Sequence, residues 1–248
     1  MSVAVVVGAT GALGAPIASR LADAGYAVVA VARHRAPLEA LAADTPGVEC
    51  CVADVTADAA VDAIRGAIRD RPVTLAVHCA AAPLGGDVLS VAPAAIARAV
   101  EVKVSGLLRL VRAVDSGLGK GSRVIAVGGS LGYDPDPHGA TAGVANAAQA
   151  NLVRQLSQAL GSRGATSHTV APGPVDTERF RTLAAEEAAE RGVDTEVVLK
   201  EARATVPRGR LTTPEEVAWA VRLLADSEAA ALSGGTLLLD GGRRTAIP

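Results

Sequence analysis

Aromatic side chains are nearly missing from this chain: one Phe, one Trp and two Tyr among 248 residues, 2% in all. Single-stranded nucleic acids are held largely on aromatic stacking platforms, so that mode of binding is excluded. An excess of one charge is lacking too. The formal net charge is −2, without any block of like charges, which argues against nucleic acid or an anionic membrane as the main partner and leaves a small-molecule substrate. No segment approaches the ~20 apolar residues of a bilayer span. No basic stretch precedes the short apolar run at the N-terminus, which speaks against a signal peptide, and a cytoplasmic location is expected. Cysteine is limited to Cys50, Cys51 and Cys79, an odd number without the C-x-x-C spacing of a zinc site, so the three read as small buried hydrophobes in a reduced compartment. Lysine is scarce as well. Of 24 basic residues only Lys103, Lys120 and Lys200 are lysine, and where arginine is the ordinary surface cation each lysine needs its own explanation.

What is present is regular. Apolar runs at 3–7, 27–32, 48–53, 73–79, 122–128, 166–170 and 235–239 alternate with alanine-rich helical stretches near 12–24, 36–43, 58–69, 92–114, 142–162 and 214–225. Strand-helix alternation implies parallel crossovers. The expected fold class is α/β, a Rossmann-type doubly wound parallel sheet with helices on both faces and ligands at the carboxyl ends of the strands. Length and even composition suit one domain over 1–248, with no repeat and no linker.

Val3-Ala4-Val5-Val6-Val7 breaks into Gly8-Ala9-Thr10-Gly11-Ala12-Leu13-Gly14 and a helical pattern, the context in which backbone amides and a helix N-terminus hold a pyrophosphate. Arg33 and Arg35 follow the second strand where an acidic residue would serve the ribose hydroxyls of NAD, and a guanidinium there suits the 2′-phosphate of NADP. Further on come Asp54-Val55, Pro172-Gly173-Pro174-Val175-Asp176-Thr177, Pro214-Glu215-Glu216-Val217-Ala218 and a closing Leu232-Ser233-Gly234-Gly235-Thr236-Leu237-Leu238-Leu239-Asp240-Gly241-Gly242. Together these segments resemble the short-chain dehydrogenase/reductase family over essentially the whole chain. The resemblance implies an NADP-binding site built from Gly8, Thr10, Gly11, Leu13, Gly14, Arg33, Asp54, Val55, Ala80, Pro172, Gly173, Val175 and Thr177. It also implies a substrate lid over 173–210 and a homodimer or homotetramer formed through helices 92–114 and 142–162. The glycine spacing matches the family's extended branch, whereas its other main branch would place the middle glycine at Ala12. The family's Asn-Asn-Ala-Gly after the fourth strand becomes His78-Cys79-Ala80-Ala81, with His78 read as a core histidine.

The reaction centre departs from the family throughout. In the family a tyrosine protonates the carbonyl oxygen, a lysine lowers that tyrosine's pKa, a serine orients the substrate and an asparagine anchors a relay water. The register of 147–156 assigns the tyrosine position to Ala142 and the lysine position to Asn146, while the serine position falls on Gly129, beside Ser130, and the asparagine position on Lys103. Alanine cannot donate a proton, and asparagine carries no charge with which to depress a neighbouring pKa. The changes at 103 and 146 are reciprocal, so the site's positive charge has moved: the Lys103 ammonium is expected in the cleft, within reach of Asn146 or of bound ligand.

The loop 128–138 offers Tyr133, Asp134, Asp136 and His138 as candidates for a replacement acid or base, and the acid is expected to come from Tyr133, His138 or water. Asp-x-Asp-x-His could suggest a metal, yet the loop's two prolines read better as bracing a substrate wall, so no metal is expected. The leading reading is an NADP(H)-dependent oxidoreductase of a small carbonyl or alcohol, polyketide-like compounds included, with a catalytic set of Lys103, Ser130, Tyr133, His138 and Asn146. Two alternatives stay open: a cyclase, isomerase or lyase on the same scaffold, and a non-catalytic NADP-binding subunit that pairs with an active relative.

Overall fold

The computed structural model describes residues 2–82 and 85–245. Seven apolar runs form seven strands: β1 (Val3–Val7), β2 (Ala27–Ala32), β3 (Val48–Val52), β4 (Val73–His78), β5 (Arg123–Val127), β6 (Thr166–Pro172) and β7 (Thr236–Leu239). All pair in parallel in the order β3-β2-β1-β4-β5-β6-β7. Strands covered on both faces have no polar side to alternate with, which is why they read as continuous Val and Ala runs. The order reverses between β1 and β4, and ligands of such sheets bind at that switch point.

The described residues include nine α-helices: α1 (Gly14–Asp23), α2 (Arg35–Asp44), α3 (Ala59–Ile68), α4 (Pro93–Val100), α5 (Gly106–Val114), α6 (Ala140–Gly161), α7 (Glu178–Arg191), α8 (Thr195–Ala204) and α9 (Pro214–Leu224), of which α7 and α8 pack on each other through Ala184, Ala188 and Val198. Val3, Val5 and Val7 point to one face, against Ile64 of α3, Leu107 and Leu110 of α5 and Val153 of α6. Ala4 and Val6 point to the other, against Ile17 and Leu21 of α1, Leu38 of α2 and Val221 and Leu224 of α9. No helix among the described residues is long and apolar enough to cross a membrane.

One expected element is corrected. The helix over 92–114 is divided by a π-helical turn at Glu101–Ser105, with Lys103 at its centre. Gly106 lets this segment close on the sheet, since a Cβ there would lie 3.0 Å from His78 Nε2 and 3.1 Å from Val55 Cγ2. A π turn inserts an extra residue into the helical ladder and is frequent at functional sites. The segment over 173–210 carries α7 and α8. Arg191 ties the two together through Glu187 and Glu201.

Two buried histidines make stability depend on pH. Burial, helped by the Lys103 ammonium, pushes His78 from 6.5 down to about 3, and burial together with Arg123 pushes His168 down to about 4. Both folded values lie below the unfolded value. The unfolded chain therefore takes up protons that the folded chain refuses, and the histidines' contribution to stability is full above pH 6.5 and lost as the pH falls through that window, by up to ~1.4 kcal/mol per pH unit per histidine. Urea unfolding at stepped pH is expected to show this decline, with a shallower slope for His78→Gln.

Candidate functional site

A cleft of about 720 Å³ opens along the carboxyl ends of the strands. Val7, Ala32, Cys79, Val127 and Pro172, at or just beyond the ends of five strands, form its floor. At the switch point the chain turns from β1 into α1 with almost no spare room. Gly8 has φ +81°, and a Cβ on it would lie 2.7 Å from Ala80 N; a Cβ on Gly14 would lie 2.0 Å from the Gly8 carbonyl oxygen. Glycine alone lets this turn, the strand end and the helix N-terminus meet. The resulting cradle is the kind that backbone amides form around a pyrophosphate.

All thirteen residues expected at the cofactor site line this cleft. Asp54 accepts from Thr56 N at 2.9 Å and from Thr56 Oγ1 at 2.8 Å, and these bonds hold its carboxyl below the usual range, with Arg33 and Arg98 adding a smaller pull. Arg33 lines the cleft and makes no ion pair with any of the described residues, whereas Arg35 stands on the surface 3.7 Å from Glu39. Thr177 caps α7 through its hydroxyl, which accepts from Phe180 N at 3.2 Å. That cap aims the first turn of α7 over the cleft, where Arg179, Phe180 and Leu183 join the lining.

The inner end of the cleft gathers Lys103, Gly129, Ser130, Ala142 and Asn146. Lys103 is 3% exposed, and its ammonium donates to the Val127 carbonyl at 3.1 Å. Burial pushes its pKa from 10.5 down to about 8. Asn146 is 5% exposed, and its Oδ1 has no hydrogen-bond partner. Lys103 thus reaches the cleft as expected, but it bonds the end of β5 and not Asn146. Gly129 explains part of this. A Cβ there would lie 2.7 Å from Asn146 Nδ2, so the missing side chain at 129 makes room for the amide at 146. Beneath lie His78 and Gln149, both fully buried; Gln149 Nε2 donates to the Lys103 carbonyl at 3.1 Å and lies 3.5 Å from His78 Nδ1. His78 is a core histidine, yet its Nε2 is unpartnered.

Two expected acids are not in the cleft. The Tyr133 hydroxyl is 2.5 Å from Thr236 Oγ1 at the start of β7. His138 is 80% exposed and faces Asp87 at 3.2 Å, while the Asp136 carboxylate accepts from His138 N. The loop leaves β5 at the active-site edge but turns both rings away, because short 3₁₀ turns at Ser130–Gly132 and Pro137–Gly139 set its direction. Among the described residues no three metal-ligating side chains converge. The sequence reading missed Arg98, Arg179, Phe180, Leu183 and Arg243 in the lining. Phe180 carried a signal, being the single phenylalanine of the chain; the arginines carried none.

Sheet order, glycine turn and switch-point cleft define a Rossmann-type α/β protein. The enoyl-(acyl carrier protein) reductase family model matches residues 8–244. The 3-oxoacyl-[acyl-carrier-protein] reductase FabG of Vibrio cholerae is 30% identical, covering 97% of this chain and 96% of its own. The short-chain reductase protein NovJ of Streptomyces niveus is 32% identical, covering 98% and 94%. A crystal structure of a single-site variant of actinorhodin polyketide ketoreductase with NADPH superposes with a TM-score of 0.92 at 26% identity, covering 99% of this chain and 98% of that one. The chain belongs to the short-chain dehydrogenase/reductase family.

Proposed function

We propose that the protein is an NADPH-dependent reductase of ketones borne on acyl or polyketide-type chains, working without the family's Tyr-Lys pair. The observation that carries this reading is Lys103: a buried cation with no carboxylate partner among the described residues, at the inner end of a cleft whose other end is lined by Arg33. The substrate class is taken from similar proteins, among them FabG, the actinorhodin ketoreductase and a putative ketoacyl reductase of the monensin polyketide synthase from Streptomyces virginiae, 29% identical.

The residues present fit the cofactor. The glycine cradle suits the pyrophosphate, Arg33 suits the 2′-phosphate, and the orphaned Asn146 Oδ1 seeks a donor such as a ribose hydroxyl. When bound, the reduced nicotinamide supplies a hydride for the carbonyl carbon. The chain's own part is to fix the ketone between Ser130 and the space over Ala142, to exclude water with the Phe180 and Leu183 side chains of α7, and to keep a positive charge beside the oxygen. Copies are expected to associate through α4, α5 and α6; the first half of α6 exposes only the short side chains of Val144 and Ala147, and its second half adds the polar Asn151, Arg154, Gln155 and Gln158.

NADPH is expected to bind more tightly than NADH. Arg33→Ala should remove most of the preference, ~1.5–3 kcal/mol for a charge-assisted hydrogen bond. Arg35→Ala should change little, because its guanidinium is engaged with Glu39 on the surface. Titration by nicotinamide fluorescence reads both.

Ala142→Tyr alone is expected to add little reduction of ethyl acetoacetate, because Asn146 cannot assist ionisation of a phenol. Adding Asn146→Lys beside Lys103 crowds two cations. Ala142→Tyr with Asn146→Lys and Lys103→Asn is the combination that should gain rate, and a single variant as fast as the triple one would contradict the assigned positions.

A further inference from the structure

The cleft is short of acids. Arginine does not release a proton in the working range of an enzyme, and the Asp54 carboxyl is held ionised by its bonds to Thr56. His34 follows β2, three strands from β5, which at ~4.8 Å per strand puts it ~14 Å from the inner end. Cys79 donates its thiol to the Val7 carbonyl at 2.9 Å, and burial pushes it up to about 12. With Tyr133 and His138 turned away, one strong candidate is left.

We propose that the Lys103 ammonium, held at the end of β5 by the Val127 carbonyl, is the proton donor to the substrate's carbonyl oxygen, so that lysine does directly what tyrosine does elsewhere in the family. This rests on the reductase reading. The carbonyl carbon gains a C–H bond with the hydride from the reduced nicotinamide, the C=O π pair moves onto oxygen, and an N–H bond of Lys103 breaks as the O–H bond forms. The ketone is reduced to an alcohol and the nicotinamide is oxidised. Lys103, left as a neutral amine, is recharged by a proton from solvent.

The surroundings suit that role. Facing the amine from β4 are His78, kept neutral, and the Cys79 thiol; α6 presents the uncharged Asn146 and Gln149, and β5 a backbone carbonyl. On its own segment Glu101 is engaged by Arg109 at 2.6 Å, and Arg98 lies toward Asp54. Among the described residues no carboxylate pairs with the ammonium, so desolvation outweighs the smaller opposing pull of Cys79 and the amine becomes a usable acid near neutral pH. A tyrosine side chain at 142 would occupy the space a ketone needs to reach it; the methyl of Ala142 leaves that space open.

The test uses full-length protein labelled with ¹³C,¹⁵N-lysine. It has only three lysines, and Lys103→Met assigns the signal of interest. The Lys103 resonance is expected to titrate near 8 and to shift when NADPH binds. Turnover of acetoacetyl-N-acetylcysteamine or ethyl acetoacetate should fall as the pH rises through the same midpoint. Lys103→Met, which removes a buried charge and leaves a side chain of similar length, should fold and bind NADPH within a few-fold of the parent, but lose ~10²-fold or more in kcat. Lys103→Arg keeps the charge without a releasable proton and should not restore the rate. A kcat independent of pH while Lys103 titrates, or a Lys103→Met enzyme with parental kcat, overturns the proposal and leaves the reductase reading intact. A parent protein that binds no NADPH, or binds it and reduces neither ketone, overturns both.

Discussion

An ammonium taken out of water without a carboxylate beside it costs several kcal/mol, and that constraint organises the functional end of this molecule. Lys103 meets it with one hydrogen bond, to the Val127 carbonyl, and with a lowered pKa. Its neighbours are arranged to tolerate it. His78 beneath it stays neutral, Gln149 fastens the Lys103 backbone, and the π turn at Glu101–Ser105 delivers the side chain from the helix pair α4 and α5 into the cleft. A stability-driven sequence would place an apolar residue at 103. That a lysine stands there, in a chain that otherwise uses arginine for surface charge, points to chemistry as the reason for keeping it.

The same constraint links the other departures from the family pattern. With the cation supplied through α4 and α5, a second one from α6 would repel it, and position 146 carries a neutral amide. That amide needs space, and Gly129 provides it, since a Cβ there would sit 2.7 Å from Asn146 Nδ2. Ala142, one turn before Asn146 on α6, leaves the approach to the ammonium open. On the proposed reading, four substitutions that separately look like losses make one rearranged site.

The fold was legible because its strands are buried on both faces and its turns need glycine. Val3–Val7 and Arg123–Val127 read as strands without tertiary information, and Gly8 and Gly14 marked the cradle. The residues expected at the cofactor site were legible as a cluster because they lie at strand ends or in the turns that follow, and the structure brings them to one cleft. Arg33 and Arg35 were separable only in the structure, although Glu39, four residues after Arg35, was a local hint that the second arginine is a surface partner. The π turn was not legible. It follows from how Gly106 packs on His78 and Val55, contacts distant in sequence. Tyr133 and His138 misled because a loop that begins at the active-site edge need not keep its side chains there: the first is bound to Thr236 and the second to Asp87.

The proposal requires the Lys103 ammonium to serve the reacting atoms. The most direct measurement of this is a crystal structure of the protein with NADPH and a non-reducible ketone analogue. An ordered nicotinamide is expected at the inner end of the cleft, with Lys103 Nζ within hydrogen-bond distance of the analogue's oxygen and Asn146 Oδ1 accepting from the bound ligand. An ordered nicotinamide whose C4 carbon faces some other acid, with the Lys103 ammonium still closed off against Val127, would contradict the relocated charge.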